Sequence, residues 1–154
     1  MYSAEEHMSE YLSTLIRHSS TGKLERSVRS TLLQNKKRLK RLQNIARELH
    51  IIFVHQEMPG MNGLVKEGLD SLGEEKSPAA DIHLIQTAQS VTMYMIARYT
   101  RVVLFAQQLR KAKLARTLQT SLNEVLRSSA SFDSILLLNI LPKVLKKQIK
   151  RKLV

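Results

Sequence analysis

The sequence predicts an all-α protein: four long helices packed as a bundle, with a long crossover that carries a short extra helix. Three observations predict it. Apolar residues recur at steps of three and four along most of the 154 residues, the spacing that lines one face of a helix. Breakers are scarce, with five Gly and three Pro. Trp is absent, and only three Phe and four Tyr occur, so the aromatic and β-branched clusters that mark strands are few. Apolar residues make up 43% of the chain, enough for a sizeable core and too many for a disordered protein.

The first helix is predicted from Ser3 to about Ile16. Met8, Leu12 and Leu15 carry it, and the polar run from His18 to Gly22 ends it. Ser19, Ser20 and Thr21 are placed to cap a second helix, which runs to about Leu49. Its stripe reads Leu24, Val28, Leu32, Asn35, Leu39, Leu42, Ile45 and Leu49, with Asn35 the one polar member. Lys36, Lys37, Arg38, Lys40 and Arg41 fall on its other faces. A loop follows over residues 55–63, then a short helix from about Leu64 to Leu72, stopped by Gly73.

Ser77 and Pro78 read as the N-cap and first position of the third long helix, which continues to about Leu109. No charged residue occurs from Leu84 to Ala97, and two apolar stripes lie side by side there. A helix apolar on more than one face is central in a bundle or covered by another subunit, which predicts a homodimer. The fourth long helix runs from about Lys113 to Ala130 or beyond, with Leu114, Leu118, Leu122, Val125 and Phe132 inward. Pro142 is expected to end any continuous helix. The chain thus divides into a bundle over residues 1–138 and a basic tail over residues 139–154. The connection between the second and third long helices is the longest, as in ferritin-like bundles.

Charge is unevenly placed. The formal net charge is +12. Residues 1–81 carry 12 basic and 11 acidic side chains, whereas residues 82–154 carry 13 basic side chains against Glu124 and Asp133. Such a field attracts polyanions. The predicted polyanion surface is Arg110, Lys111, Lys113 and Arg116 with the tail residues Lys143, Lys146, Lys147, Lys150, Arg151 and Lys152. With no stacking platform or groove-reading element, its binding is expected to be salt-sensitive, sequence-indifferent and of micromolar order or weaker at physiological salt.

Several chemistries lack their residues. There is no Cys, hence no disulfide or thiolate metal site. The five His include no pair at i, i+4, so the helical two-His zinc motif is absent. No Gly-rich phosphate loop or nucleophile triad can be assembled, and no small-molecule substrate is indicated. The longest largely apolar run, over residues 135–141 and broken by Asn139, is far short of the roughly 20 needed to span a bilayer. The N-terminal stretch is acidic and polar, unlike a signal peptide, so a cytoplasmic protein is expected.

Three separated motifs carry a resemblance. Tyr2-Ser3-Ala4-Glu5 is similar to a YDAE opening, residues 58–68 (MPGMNGLVKEG) to a C/M-x-x-M-x-G-L-I-x-E-G stretch, and residues 88–99 (AQSVTMYMIARY) to an A-Q-x-V-E-H-Y-E-I-A-x-Y helix. In that order, over about residues 2–135, they resemble the YciE/YciF-like ferritin-like family of bacteria. The resemblance implies a ferritin-like bundle, commonly dimeric, with a carboxylate dimetal site between the long helices, and an association with stress responses.

At the positions matching that site this chain departs from the pattern. Glu5 is kept. The second-helix H-L-x-E-T reads Thr31-Leu32-Leu33-Gln34-Asn35, the third-helix E-H-Y-E reads Thr92-Met93-Tyr94-Met95, and of the last-helix E-E pair Glu124 remains. Two divalent cations need about four to six anionic oxygens, and a Met thioether is a soft ligand poorly suited to them. Glu5, Gln34, Thr92, Met95 and Glu124 are therefore read as vestigial positions with no metal bound. The alternative is iron or manganese at a reduced site around Glu5 and Glu124, in an oxidase or peroxide-handling protein. Gln34, Asn35 and Thr92 are expected to form a buried polar patch, Glu5 to pair with a basic residue or to titrate high, and Met93 and Met95 to fill core gaps.

Overall fold

The computed structural model describes residues 1–71 and 76–152, with side chains to residue 146. Every element is helical: α1 (Tyr2–His18), α2 (Gly22–Glu48), α3 (Pro59–Asp70), α4 (Pro78–Gln108), α5 (Ala112–Ile135), a π-helical turn (Leu136–Ile140) and α6 (Leu141–Lys152).

Cross-links between distant residues fix the directions of the long helices. Tyr2, at the start of α1, accepts from Gln43 near the end of α2 at 2.9 Å, so α1 and α2 are antiparallel. Asp81 in the first turn of α4 accepts from Ser20 N at 2.8 Å and Ser20 Oγ at 2.9 Å, which places the start of α4 beside the α1–α2 turn. Ser27 meets Ser131 at 2.9 Å and Glu48 meets Lys113 at 3.1 Å, so α2 and α5 are antiparallel as well. Hence α2 and α4 run the same way, and residues 49–77 must travel back along the bundle to join them. That return is the ferritin-like crossover.

The core explains each helix. Met8, Leu12 and Leu15 of α1, Leu24, Val28 and Leu42 of α2, Leu84, Val91 and Met95 of α4, and Leu118, Val125 and Phe132 of α5 are all buried. Ser77 caps α4 by accepting from Ala80 N at 3.1 Å. At α2 the expected side-chain cap is absent: Thr21 stands at the N-cap without such a bond, and Ser20 is turned to Asp81.

Four expectations are revised. First, α3 begins at Pro59, five residues before the predicted start. Pro59 takes a first-turn position, where its missing N–H costs nothing, and Met58 and Met61 are buried beside it. Second, α3 packs on α4 and covers part of the second face of α4 within the same chain, so that face alone does not call for a second copy. Third, Met93 is 55% exposed, whereas Met95 is buried. Fourth, Pro142 does not end the helix. The residue whose carbonyl its ring would crowd is Leu138, and Leu138 lies in the wide π turn, so α6 continues. Asn139 of that turn accepts from Lys23 Nζ at 2.6 Å, and Ile140 is buried.

Gly68 sets the approach of α3 to α4. A Cβ there would lie 1.8 Å from Thr87 Oγ1 and 2.6 Å from Thr87 Cβ, and Thr87 is held by its own bond to His83 O at 3.0 Å. Gly68→Ala is expected to cost about 1–3 kcal/mol through overpacking, despite the better helix propensity of Ala, read as a fall in thermal midpoint. Gly63→Ala, where no atom lies within 4 Å, should instead be neutral or stabilising.

Candidate functional site

α1 places Glu5 in the bundle centre with none of its surface exposed. A bare carboxylate there would cost several kcal/mol, so it must be paired and hydrogen-bonded. α2 supplies the pair. Arg38, 1% exposed, donates from Nε to Glu5 Oε1 at 2.6 Å and from Nη2 to Oε2 at 3.1 Å. One turn earlier, Asn35 donates from Nδ2 to Glu5 Oε2 at 2.5 Å and to the Glu5 carbonyl at 2.9 Å. α4 supplies Tyr99, whose phenol donates to Oε1 at 2.5 Å. Each carboxylate oxygen therefore accepts two bonds. Arg38 Nη1 and Asn35 Oδ1 are buried with no protein partner.

A second carboxylate is held the same way. Arg41 donates from Nη2 to Glu124 Oε1 at 3.0 Å and from Nη1 to Oε2 at 3.1 Å, and also to Ser121 Oγ at 2.8 Å. Ser121, 1% exposed, lies beside the Tyr99 phenol and acts to lower its pKa against the larger effects of burial and Glu5. The Arg38–Glu5–Tyr99 cluster and the Ser121–Arg41–Glu124 cluster together draw on all four long helices.

The electrostatics lock this arrangement. Burial acts to lower the Arg38 pKa, but the charge and hydrogen bonds of Glu5 outweigh it and raise the guanidinium above the ordinary arginine value. Burial first, and then the Glu5 charge, push the Tyr99 phenol well above the usual tyrosine range, so it stays a donor.

The remaining predicted positions scatter around this centre. Thr92 is buried and donates to Ala88 O at 2.6 Å. Met95 is buried in the core, as expected. Gln34 is half-buried and lines an open groove of about 450 Å³ between α2 and α5, together with Thr31, Glu124 and Ser128. The predicted patch of Gln34, Asn35 and Thr92 is therefore not one cluster: Asn35 alone joins Glu5. Arg38 and Arg41, read as members of a surface run, are inside or half inside.

The polyanion residues are also separated. Arg110, Lys111, Lys113 and Arg116 are exposed at the α4–α5 turn, whereas Lys143 and Lys146 are exposed on α6, beyond the other end of α5. The 24 residues of α5 span about 36 Å. The side chains of Lys147, Lys150, Arg151 and Lys152 lie outside the described residues.

The model of the domain of unknown function DUF892 matches residues 1–141. The chain belongs to the DUF892 family. Protein YciF of Escherichia coli (strain K12) is 30% identical to it over 125 residues, covering 80% of this chain and 75% of that protein. The crystal structure of the E. coli stress protein YciF superposes with a TM-score of 0.82 at 27% identity, over 88% of this chain and 87% of the other. YcfI from Rhodopseudomonas palustris superposes with a TM-score of 0.80 at 27% identity, over 86% and 85%.

This DUF892 chain offers two divalent cations a poor donor set. Both oxygens of Glu5 and both of Glu124 are engaged by guanidinium groups, and Thr92 Oγ1 is directed to a backbone carbonyl. Among the described residues no three His, Cys, Asp or Glu side chains come together as a metal site. Of the two orphans at the centre, Arg38 Nη1 is a cationic donor, which repels a metal ion, and Asn35 Oδ1 is a single neutral oxygen, which cannot offset two divalent charges. The residues present do not fit the dimetal group that the family resemblance implies.

Removing one partner of a buried ion pair leaves the other uncompensated, so Arg38→Ala is expected to cost about 3–5 kcal/mol. The double variant Glu5→Leu/Arg38→Met should recover most of that loss, because it removes both charges and keeps the volume. Thermal or urea melts of the two variants check this.

Alkaline pH gives a second test. Tyr99, and Tyr11 whose phenol burial also raises, hold their protons more tightly folded than unfolded. Their contribution is complete below the unfolded value of about 10 and is lost as pH rises above it. Melts from pH 8 to 11 should show stability falling above about pH 10, and Tyr11→Phe/Tyr99→Phe should flatten that fall.

Proposed function

We propose that this protein is a non-catalytic helical bundle with a structural or interaction role, in which a guanidinium–carboxylate pair takes the place of the dimetal centre. The observation that carries this reading is the closed shell of Glu5. Its four accepted hydrogen bonds come from Arg38 twice, Asn35 and Tyr99, which leaves no oxygen turned to a metal. The E. coli relative is a stress protein, and the same association is proposed for this chain. A cytoplasmic setting is proposed as well, on the acidic, polar N-terminal stretch.

A homodimer belongs to the same proposal. The extended segment before α3 exposes Ile51, Ile52 and Val54, with Ile52 88% exposed. It is held to α1 by stacking of Phe53 on Tyr2 and by Gln56 N donating to Ser3 Oγ at 3.0 Å. Held aliphatic side chains of this kind are what a second copy would cover.

Protein purified without chelator is expected to contain well under one equivalent of iron or manganese per chain. Two equivalents would overturn the metal-free reading. Light scattering at tens of micromolar should give a dimer mass, and Ile52→Lys/Val54→Lys should shift it to a monomer without lowering the helix content. A monomeric wild type would remove the dimer and leave the metal-free reading standing.

A further inference from the structure

The turn between α4 and α5 combines two features that folding does not use. The last turns of α4 expose Leu104 (52%), Phe105 (58%) and Leu109 (69%), although the neighbouring Val103 and Ala106 are buried. The inward face of the helix is thus satisfied, and a second apolar face is left in water. Around it stand Arg101, Arg110, Lys111 and Lys113, all exposed. Of these only Lys113 has a carboxylate partner among the described residues, Glu48 at 3.1 Å. No acidic residue occurs between Asp81 and Glu124.

The end of α2 extends the same surface. A groove of about 380 Å³ is lined there by Ile45, Leu49, Ala112 and Leu114, with Lys111 and the Lys113–Glu48 pair among its polar lining. The residues that end the two helices here, His50 and Arg110, both hold φ at 54°, a conformation in which glycine is cheaper. Each helix terminates in a basic side chain set outward at some conformational cost.

We infer that this end of the bundle docks on an anionic lipid bilayer, with Leu104, Phe105 and Leu109 entering the interface and Arg101, Arg110 and Lys111 meeting the headgroups. Apolar side chains ringed by unpaired cations are the combination that an anionic bilayer surface rewards on both counts. A second copy of this chain would bring the same cations against them, so self-association through this end is opposed by charge. A nucleic acid would satisfy the cations and leave the aliphatic side chains in water.

Vesicles test the inference: phosphatidylglycerol mixed with phosphatidylcholine against phosphatidylcholine alone, by cosedimentation of the full chain. Binding is expected on the anionic vesicles only, and to weaken in high salt. At about five-fold per charge near the surface, Arg110→Glu/Lys111→Glu should weaken it by at least about ten-fold. Phe105→Ser/Leu109→Ser should also weaken it by about ten-fold while leaving the affinity for a DNA duplex unchanged. All four positions are exposed, and matching melts will show that the variants fold. The inference is overturned if wild type ignores anionic vesicles, or if the serine variant binds them as wild type does, which is the behaviour of a charge-only polyanion binder. It is overturned equally if the serine variant converts a dimer into a monomer.

Discussion

A carboxylate with no exposed surface sits at the centre of this bundle, and the arrangement of the helices around it follows from the need to neutralise it. Glu5 cannot be buried on α1 unless a cation arrives with it, and Arg38 does so with two parallel bonds. The remaining lone pairs require Asn35 from one turn earlier on α2 and Tyr99 from α4. That requirement fixes the rotation of α1 against α2 and the height of α4 against both, more narrowly than apolar side chains of adaptable shape would do alone. Ser121 and the Arg41–Glu124 pair extend the same constraint to α5. Ion pairs of this kind contribute little net stability compared with a well-packed apolar core. Their effect is on register, because any slide of one helix against another leaves a charge unpaired.

Most of the architecture was legible in the sequence, and the reasons differ from element to element. Helix starts and stops were readable where the chemistry is local: Ser77 with Pro78 opens α4, and the apolar steps of α1 and α5 lie where they pack. The family resemblance rested on motifs and was matched over nearly the whole chain. What escaped was tertiary. On α2 the stripe was followed from Asn35 to Leu39, but the buried line is Leu24, Val28, Thr31, Asn35, Arg38, Leu42 and Ala46. Its steps of three and four pass through Arg38 without a break, so the spacing was there to be read. The chemical prejudice that a basic residue in a basic run faces water hid it. Tyr99 gave no such signal, since a tyrosine on an apolar stripe looks like any other core residue. The start of α3 was missed because Gly60 and Gly63 read as a turn, whereas burial of Met58 and Met61 overrides their low helix propensity. Pro142 was misread because a π turn in front of a proline has no sequence signature of its own.

The departure from the family's carboxylate pattern gains a physical meaning from this centre. A dimetal site brings positive charge from outside, and the apoprotein must hold several mutually repelling carboxylates until it is filled. On the metal-free reading proposed above that repulsion is absent, because Gln34, Thr92 and Met95 stand where the family pattern has ligands, and the buried carboxylate of Glu5 is matched by a cation encoded in the same chain. On that reading the bundle needs no loading step to reach its final packing.

The path of the crossover decides which contacts are local and which are not. Because the connection between α2 and α4 runs back along the bundle, the molecule consists of two helical hairpins, α1–α2 and α4–α5, joined by one long connection. Glu5 and Arg38 both belong to the first hairpin, 33 residues apart, whereas Tyr99 belongs to the second, 94 residues from Glu5. The ion pair thus closes a much shorter loop than the bond that covers it. Separating the hairpins would return water to both charges, and a first hairpin with the pair out of register would bring an unneutralised charge to the seam between them.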